Sequence, residues 1–265
     1  MISCKYIHGR CRMNRLPYQA VIVDFDRTLL HTDKTISDYA IRVLQAWQEN
    51  GARLFAATAR PERAIGDYCR QIAFDAVCTL NGARTVTKDS VIENPIAEES
   101  AVAILEQLSG IPGIVLSVEA ENGIYANVDI PPWAPKVTDR LLDLPRKEKI
   151  YKILASHPDI PADRLAGSLP EDTYSSVAER KLLQVMGRTA TKWNGVRNML
   201  DTFGINPAQA VFFGDDNDDI KPIRQCGCGV AVRNALETVL ETADEITESN
   251  DEDGVARFLE RLMNR

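Results

Sequence analysis

The chain of 265 residues is acidic, with 31 Lys and Arg against 38 Asp and Glu and a net charge of −7. This balance argues against a broad nucleic-acid-binding or anionic-membrane surface, and no apolar run approaches the roughly 20 residues that a membrane-spanning helix needs. Hydrophobic residues at 45% and charged residues at 26% are ordinary for a globular protein with a substantial core.

The first 17 residues differ from the rest of the chain. They are polar, carry several Lys and Arg side chains and lack hydrophobic periodicity. We expect a flexible lead over residues 1–17, with Met13 as a candidate start. The six cysteines form no C-x-x-C pair and follow no secretory signal, which favours reduced thiols and a cytoplasmic location.

A short apolar run at residues 21–23 predicts a buried parallel strand, because such strands are apolar on both faces. Two carboxylates, Asp24 and Asp26, follow it directly. Alternation along an extended strand would point both the same way, with Phe25 opposite. Two like charges this close are costly unless one is protonated or a cation lies between them, so one interpretation is a metal site. The alternative is that one of the two caps the following turn, as Asp often does.

The next elements alternate between helix and strand. Ser37 is a predicted N-cap for a helix over residues 38–48, and residues 53–57 and 75–80 are predicted strands. The strand at residues 53–57 ends at Thr58-Ala59-Arg60. A β-α-β-α-β order is typical of a doubly wound parallel sheet, so we predict an α/β fold.

The pattern changes at residue 84. Strand-like and helical stretches, with a candidate hairpin turn at Glu121-Asn122-Gly123, continue as far as residue 187. We predict that residues 84–187 form a separate α+β module inserted into the first domain, whose own segments are residues 18–83 and 188–265. The strands predicted inside the module cover residues 114–118, 124–128, 149–155, 174–179 and 182–186.

The alternation of helix and strand resumes after the insert. A helix is predicted over residues 192–203, and a strand over residues 210–213 ends in an acidic run at residues 214–219. The remaining predicted elements are a strand at residues 229–232 and helices at residues 236–241 and 254–263.

Polar side chains therefore follow three predicted strands of one sheet, and Lys192 begins the helix after the insert. Each has a plain alternative: Thr58 as a helix cap, Lys192 as a surface charge and the acidic run as a loop. At one sheet edge, several carboxylates suit Mg²⁺, while a lysine and a hydroxyl suit the oxygens of a transferring phosphoryl group.

These segments resemble the four motifs of the haloacid dehalogenase (HAD) superfamily. The motifs correspond to D-F-D-R-T-L-L at residues 24–30, T-A-R at residues 58–60, Lys192 and G-D-D-N-D-D at residues 214–219. Further matches at residues 81–83, 230–235 and 249–255 are similar to the Cof-type phosphatases, whose α+β cap of class IIB lies between the second and third motifs. The resemblance covers about residue 20 to the C-terminus and implies a HAD-like Rossmannoid core.

The resemblance also implies a role for each matching residue. Asp24 would attack phosphorus, and Asp26 would protonate the leaving alcohol and then activate water. Mg²⁺ would be held by Asp24, the Asp26 backbone carbonyl and Asp215, with Asp219 near by. The groups expected to bind phosphate or substrate are Thr58, Lys192, the backbone N–H groups around Phe25 and Ala59, the position of Asp218, and Arg60, for which a salt bridge at the helix start is the alternative.

Three positions depart from the family pattern. Arg27 and Ala59 stand where Gly is usual, and Asp218 stands where Asn is usual. An Arg at position 27 needs a backbone conformation that tolerates a Cβ. Asp218 adds a negative charge near the phosphate, which we expect to weaken phosphate binding unless it is protonated or paired.

Three functions remain open at this point. The first is a Mg²⁺-dependent phosphatase, a hydrolase of phosphoric monoesters, acting on a small phosphorylated metabolite such as a sugar phosphate. The second is a phosphosugar mutase, because aspartyl-phosphate chemistry serves transfer as well as hydrolysis. The third is a non-catalytic sensor that keeps the fold, which Arg27 and Asp218 would favour.

Overall fold

The computed structural model describes residues 16–131, 133–178 and 181–264, which form two β-sheets with helices against them. The predicted lead lies outside the described residues as far as residue 15, as do Met13 and the predicted strand residue Glu179. No helix within the described part of the chain is long and apolar enough to cross a membrane.

The large sheet has eight strands and confirms the predicted α/β fold. Its first six strands in spatial order pair in parallel, and the last two pair antiparallel. In spatial order the strands are β14 (Glu245–Thr247), β13 (Cys228–Val232), β12 (Ala210–Gly214), β1 (Ala20–Val23), β2 (Arg53–Ala57), β3 (Ala76–Thr79), β4 (Arg84–Thr87) and β5 (Val91–Glu93).

Helices cover both faces of the large sheet, because alternate residues of its central strands are apolar on both sides. Val21 and Val23 face one hydrophobic cluster, whereas Ala20 and Ile22 face another. The first cluster includes α1 (Asp38–Glu49), α2 (Gly66–Gln71) and α8 (Gly254–Met263), and the second includes α5 (Lys192–Thr202), α6 (Ile220–Gln225) and α7 (Glu237–Leu240).

Helix α1 begins where the sequence predicts. The Ser37 side chain accepts a hydrogen bond from the Ala40 N–H at 2.9 Å and so satisfies one of the unpaired donors of the first turn. Its buried residues are Ala40, Val43, Leu44 and Trp47, which form one stripe at helical spacing.

The small sheet has six strands, all between β5 and α5 in the chain. Its hairpin at residues 121–123 matches the prediction, with Ala120 paired to Gly123. Helices α3 (Glu98–Ser109) and α4 (Ala162–Leu165) pack on one face. In spatial order its strands are β10 (Thr173–Ala178), β11 (Leu182–Gly187), β9 (Ile150–Ser156), β6 (Val115–Ala120), β7 (Gly123–Ala126) and β8 (Lys136–Val137).

The predicted start of the inserted module at residue 84 is too early. Strands β4 and β5 extend the large sheet instead of joining the small one. The turn Leu80–Gly82 folds β4 back against β3, and β5 then pairs with β4. Strands β4 and β5 therefore lie at the edge of the large sheet. We therefore define the inserted module as residues 96–187.

Gly82 allows the start of α5 to approach this turn closely. Its φ is +102°, and a Cβ at this position would lie 2.1 Å from the Thr191 carbonyl oxygen. Thr191 is the N-cap of α5. The absence of a side chain at position 82 therefore allows the start of this helix, and Lys192 with it, to lie against the turn.

We predict that Gly82→Ala lowers the free energy of unfolding by more than about 2 kcal/mol, because the new Cβ meets rigid backbone and adopts a left-handed conformation. The matched control is Gly204→Ala, which has a φ of +63° but no neighbouring atom within 4 Å. It should cost only about 1 kcal/mol. Urea unfolding of both variants checks this, and equal losses would contradict it.

Candidate active site

The site lies where the direction of chain winding reverses. Strands β1 and β12 are neighbours, and the chain proceeds from β1 outward through β2 and β3 on one side and from β12 outward through β13 on the other. Ligands of open α/β sheets bind beyond the carboxyl ends of the strands at such a point. Asp24 follows β1, Thr58 follows β2 and Asp215 follows β12.

Lys192 lies at the centre of the site. Its Nζ is 3.0 Å from Asp24 Oδ1 and 2.6 Å from Asp219 Oδ1. All three side chains are buried, with exposed fractions of 7% or less. Burial alone would lower the pKa of Lys192, but Asp219 and Asp24 outweigh it and raise that pKa well above its usual value. The lysine is therefore an ammonium ion that holds two carboxylates.

Asp219 shapes the acidic loop. Its Oδ2 accepts the backbone N–H groups of Asp215 and Asp216 at 3.0 and 3.1 Å, while its Oδ1 accepts Lys192. A Cβ on Gly214 would lie 2.5 Å from the Asp219 side chain, so the loop closes over this carboxylate only because residue 214 is Gly. Asp219 thus orients Lys192 and the loop at once.

The carboxylates of Asp24, Asp215 and Asp219 offer oxygen atoms that all lie within 4.8 Å of one another. Burial raises the pKa of Asp24 well above its usual value, and burial followed by the charge of Asp219 raises the pKa of Asp215 to about 7. Two cations, the Lys192 ammonium and the exposed Arg27 guanidinium with its Nε 3.8 Å from Asp215 Oδ2, do not balance three buried carboxylates. Hard oxygen donors with unmet negative charge fit a divalent cation.

Asp26 has partners of its own. Its carboxylate accepts two hydrogen bonds from Arg60, each 2.6 Å long, and one from Lys34 at 2.8 Å. Burial would raise the pKa of Asp26, but these hydrogen bonds outweigh it and lower that pKa to about 2. The structure therefore places the Asp26 side chain in a cationic clamp rather than beside Asp24 in the carboxylate group. Arg60 makes a salt bridge, which was the alternative for that residue.

The turn that follows the two carboxylates contains Arg27 in the left-handed region, with a φ of 57°. Asn234 holds this turn from the facing loop: its Nδ2 donates to the Arg27 carbonyl at 2.8 Å, and its own carbonyl accepts Arg27 Nη2 at 2.9 Å. Asn250 donates in turn to Asn234 Oδ1 and to the Leu30 carbonyl, both at 2.9 Å. The segments at residues 230–235 and 249–255 therefore brace the first motif.

Thr58 and Ala59 line the second strand end. Thr58 is buried, and its Oγ1 accepts the Arg60 N–H at 3.2 Å. The Ala59 backbone N–H contacts no acceptor among the described residues, which leaves it available for a phosphoryl oxygen. Ala59 does not adopt a positive φ, so replacing the usual Gly creates no backbone strain. Phe25 is buried and packs against Tyr68 and Phe74.

A second group of residues, which the sequence did not reveal, joins the inserted module to the large sheet. Lys152 on β9 donates to Asn81 Oδ1 at 2.6 Å and to Gln184 Oε1 at 2.9 Å. Asn81 Nδ2 donates to Asp218, the position where the family usually has Asn. Burial lowers the pKa of Lys152 to about 8, which leaves it protonated at neutral pH. A single lysine within the apolar strand 150–155 is the signal that was available.

Comparisons with known proteins identify the family to which the chain belongs. A family model described as haloacid dehalogenase-like hydrolase matches residues 21–259. The 5-amino-6-(5-phospho-D-ribitylamino)uracil phosphatase YitU of Bacillus subtilis (strain 168) is 24% identical over 273 residues, covering 95% of this chain and 100% of that protein.

Solved structures share the fold over most of their length. A haloacid dehalogenase-like hydrolase from Bacteroides thetaiotaomicron has a TM-score of 0.80 at 24% identity, covering 92% of this chain and 99% of that one. The HAD subclass IIB sugar phosphatase BT4131 has a TM-score of 0.78 at 23% identity, covering 92% of this chain and 98% of that one.

We predict that a divalent cation stabilises the protein by binding to the carboxylates of Asp24 and Asp215, beside Asp219. Adding Mg²⁺ should raise the melting temperature of the wild type by about 5 °C, since a ligand at a hundred times its Kd contributes about 2.7 kcal/mol. Asp215→Asn should melt at or above the wild-type temperature in EDTA, because it removes a crowded charge, and should respond little to Mg²⁺. The control Asp201→Asn changes an exposed carboxylate and should respond like the wild type. A full Mg²⁺ response in Asp215→Asn would contradict the assignment.

Proposed function

Because the chain belongs to the haloacid dehalogenase-like hydrolases and is a phosphatase of their Cof type, we propose that it hydrolyses a small phosphorylated metabolite through an aspartyl-phosphate intermediate. The observation that carries the proposal is the buried Asp24 carboxylate, held by Lys192 at a strand end beside Asp215. A carboxylate fixed in this way is oriented for attack on phosphorus.

In the first step an oxygen of Asp24 forms a bond to phosphorus, and the bond from phosphorus to the leaving alcohol oxygen breaks. Lys192 holds Asp24 Oδ1, whereas Oδ2 accepts no hydrogen bond among the described residues and is the oxygen that we assign to attack. Thr58 and the Ala59 N–H lie at the neighbouring strand end as donors for the phosphoryl oxygens. We propose the backbone around Phe25 for the same purpose.

Asp26 acts first as general acid and then as general base in this proposal. It gives a proton to the departing alkoxide and later takes one from the water that hydrolyses the aspartyl phosphate. In the clamp of Arg60 and Lys34 it is ionised, which suits the second step. A phosphate ester brings negative charge to Asp26 and competes for both cations, and each effect raises the pKa of Asp26 toward the value that the first step needs.

We propose Mg²⁺ as the cofactor, because carboxylate and carbonyl oxygens are the ligands it prefers. Asp24, Asp215 and the Asp26 backbone carbonyl would hold it, and Asp219 would act from behind them, since its own oxygens already accept Lys192 and two backbone N–H groups. When bound, Mg²⁺ supplies positive charge that offsets the carboxylates and the phosphoryl oxygens.

The inserted module is proposed as the cap over this site. Its β9 and β11 present Lys152 and Gln184 toward the large sheet, and Glu119 of β6 forms a salt bridge with Arg63 there. Such a polar surface favours a polar leaving group, such as that of a sugar phosphate. The free thiols of Cys69, Cys78, Cys226 and Cys228 fit the cytoplasmic location that we propose.

The test is release of phosphate from p-nitrophenyl phosphate and from a panel of phosphate esters. Activity should require Mg²⁺, disappear with EDTA and fall at least a thousandfold in Asp24→Asn, because the nucleophile is lost. The control Asp67→Asn removes an exposed carboxylate of α2 and should retain activity. Interconversion of phosphosugars without release would support a mutase, and a protein without turnover on the whole panel would support a sensor.

A further inference from the structure

Buried polar side chains on the inserted module meet the large sheet at the candidate active site. Glu119 and Lys152 are direct cross-strand partners on β6 and β9, with exposed fractions of 5% and 3%, and Gln184 on β11 is also buried. Charged side chains are seldom buried this deeply in a sheet unless each has a partner. Their partners therefore indicate what this surface does.

Glu119 is already neutralised from the other side of the interface. Arg63, which precedes α2, donates to both of its carboxylate oxygens. Glu119, the cross-strand neighbour of Lys152, therefore does not neutralise the lysine. Its three N–H donors reach Asn81 Oδ1, Gln184 Oε1 and the Ala59 carbonyl at 2.6, 2.9 and 3.3 Å, all of them neutral oxygens.

Asn81 links Lys152 to the acidic loop by hydrogen bonds at both ends of its amide. It has a φ of 57° between two other residues with positive φ, a conformation that Asn tolerates better than most residues. One end of its amide accepts Lys152, and the other end donates to the Asp218 carboxylate. A cation on one side and an anion on the other fix the orientation of the amide.

Asp218 is the residue that needs this support. It lies beside Asp219 and carries a negative charge where the related phosphatases usually have an amide. A carboxylate near incoming phosphate repels it unless positive charge is close by. Two cations face Asp218: Lys192 from the large sheet, which it shares with Asp24 and Asp219, and Lys152 from the module.

We propose that Lys152 is a positioning residue that holds the Asp218 carboxylate through the Asn81 amide and so couples docking of the inserted module to the geometry of the phosphoryl site. The relay is complete only while β9 lies on the turn Leu80–Gly82. An undocked module leaves Asp218 with only its share of the Lys192 charge, and phosphate then meets a carboxylate that is less well compensated. The proposal rests on the proposed phosphatase function for its catalytic consequence, but not for the contact itself.

The test is a double-mutant cycle of Lys152→Met and Asp218→Asn, assayed with p-nitrophenyl phosphate and Mg²⁺. Lys152→Met should lower kcat/KM about tenfold, and the same change in the Asp218→Asn background should cost less than about threefold, because an amide needs no counter-charge. Asp218→Asn should therefore rescue Lys152→Met. The control Lys181→Met changes an exposed lysine of the module and should match the wild type in both backgrounds.

An equal loss in both backgrounds would overturn the relay and indicate that Lys152 binds substrate directly. Should Lys152→Met fail to fold, Lys152→Gln removes the charge but keeps an N–H donor and should show the same rescue.

A measurement that does not depend on turnover separates this proposal from the proposed function. Small-angle scattering should show a larger radius of gyration for Lys152→Met than for the wild type, restored by Asp218→Asn. If the wild type shows no phosphatase activity but the radii of gyration change as described, the proposed phosphatase function is overturned and the relay stands. If the radius of gyration is the same in the wild type and all variants, the relay is overturned.

Discussion

The buried ammonium of Lys192 is the constraint on which the rest of the site depends. It contacts Asp24 and Asp219 in a place that excludes most water, where an unpaired charge would cost several kcal/mol. Its position must therefore be exact, and two glycines provide for this. Gly82 lets the start of α5 approach the turn after β3, and Gly214 lets the acidic loop fold over Asp219. Close backbone packing thus serves the electrostatics of the site.

Much of the fold was predictable because its signals are local. The strands that precede Asp24, Thr58 and Asp215 are apolar runs that end in polar groups, and the structure places all three ends at one sheet edge. The membership of β4 and β5 was not predictable, since short alternating strands carry no mark of the sheet that they join. Local periodicity therefore indicates an element but not its partner.

The parts of the site that were missed depend on contacts between distant segments. The side chain of Asp26 is held away from Asp24 by Arg60 and Lys34, and the turn that follows, with a positive φ at Arg27, is stabilised by Asn234 from more than 200 residues away in the chain. The contact between Lys152 and Asn81 joins the inserted module to the large sheet. Motif spacing identifies groups within one segment, whereas these pairings depend on how two segments meet.

The three departures from the family pattern are each accommodated, so none of them argues against a working phosphate site. Ala59 has no positive φ, so its Cβ adds no strain. Arg27 does adopt the left-handed region, at a cost of about 1–2 kcal/mol, but its carbonyl and guanidinium both bind Asn234. Asp218 is joined to a module lysine through Asn81. A protein that no longer bound phosphate would not need a counter-charge at this site, whereas one that binds phosphate beside an extra carboxylate does.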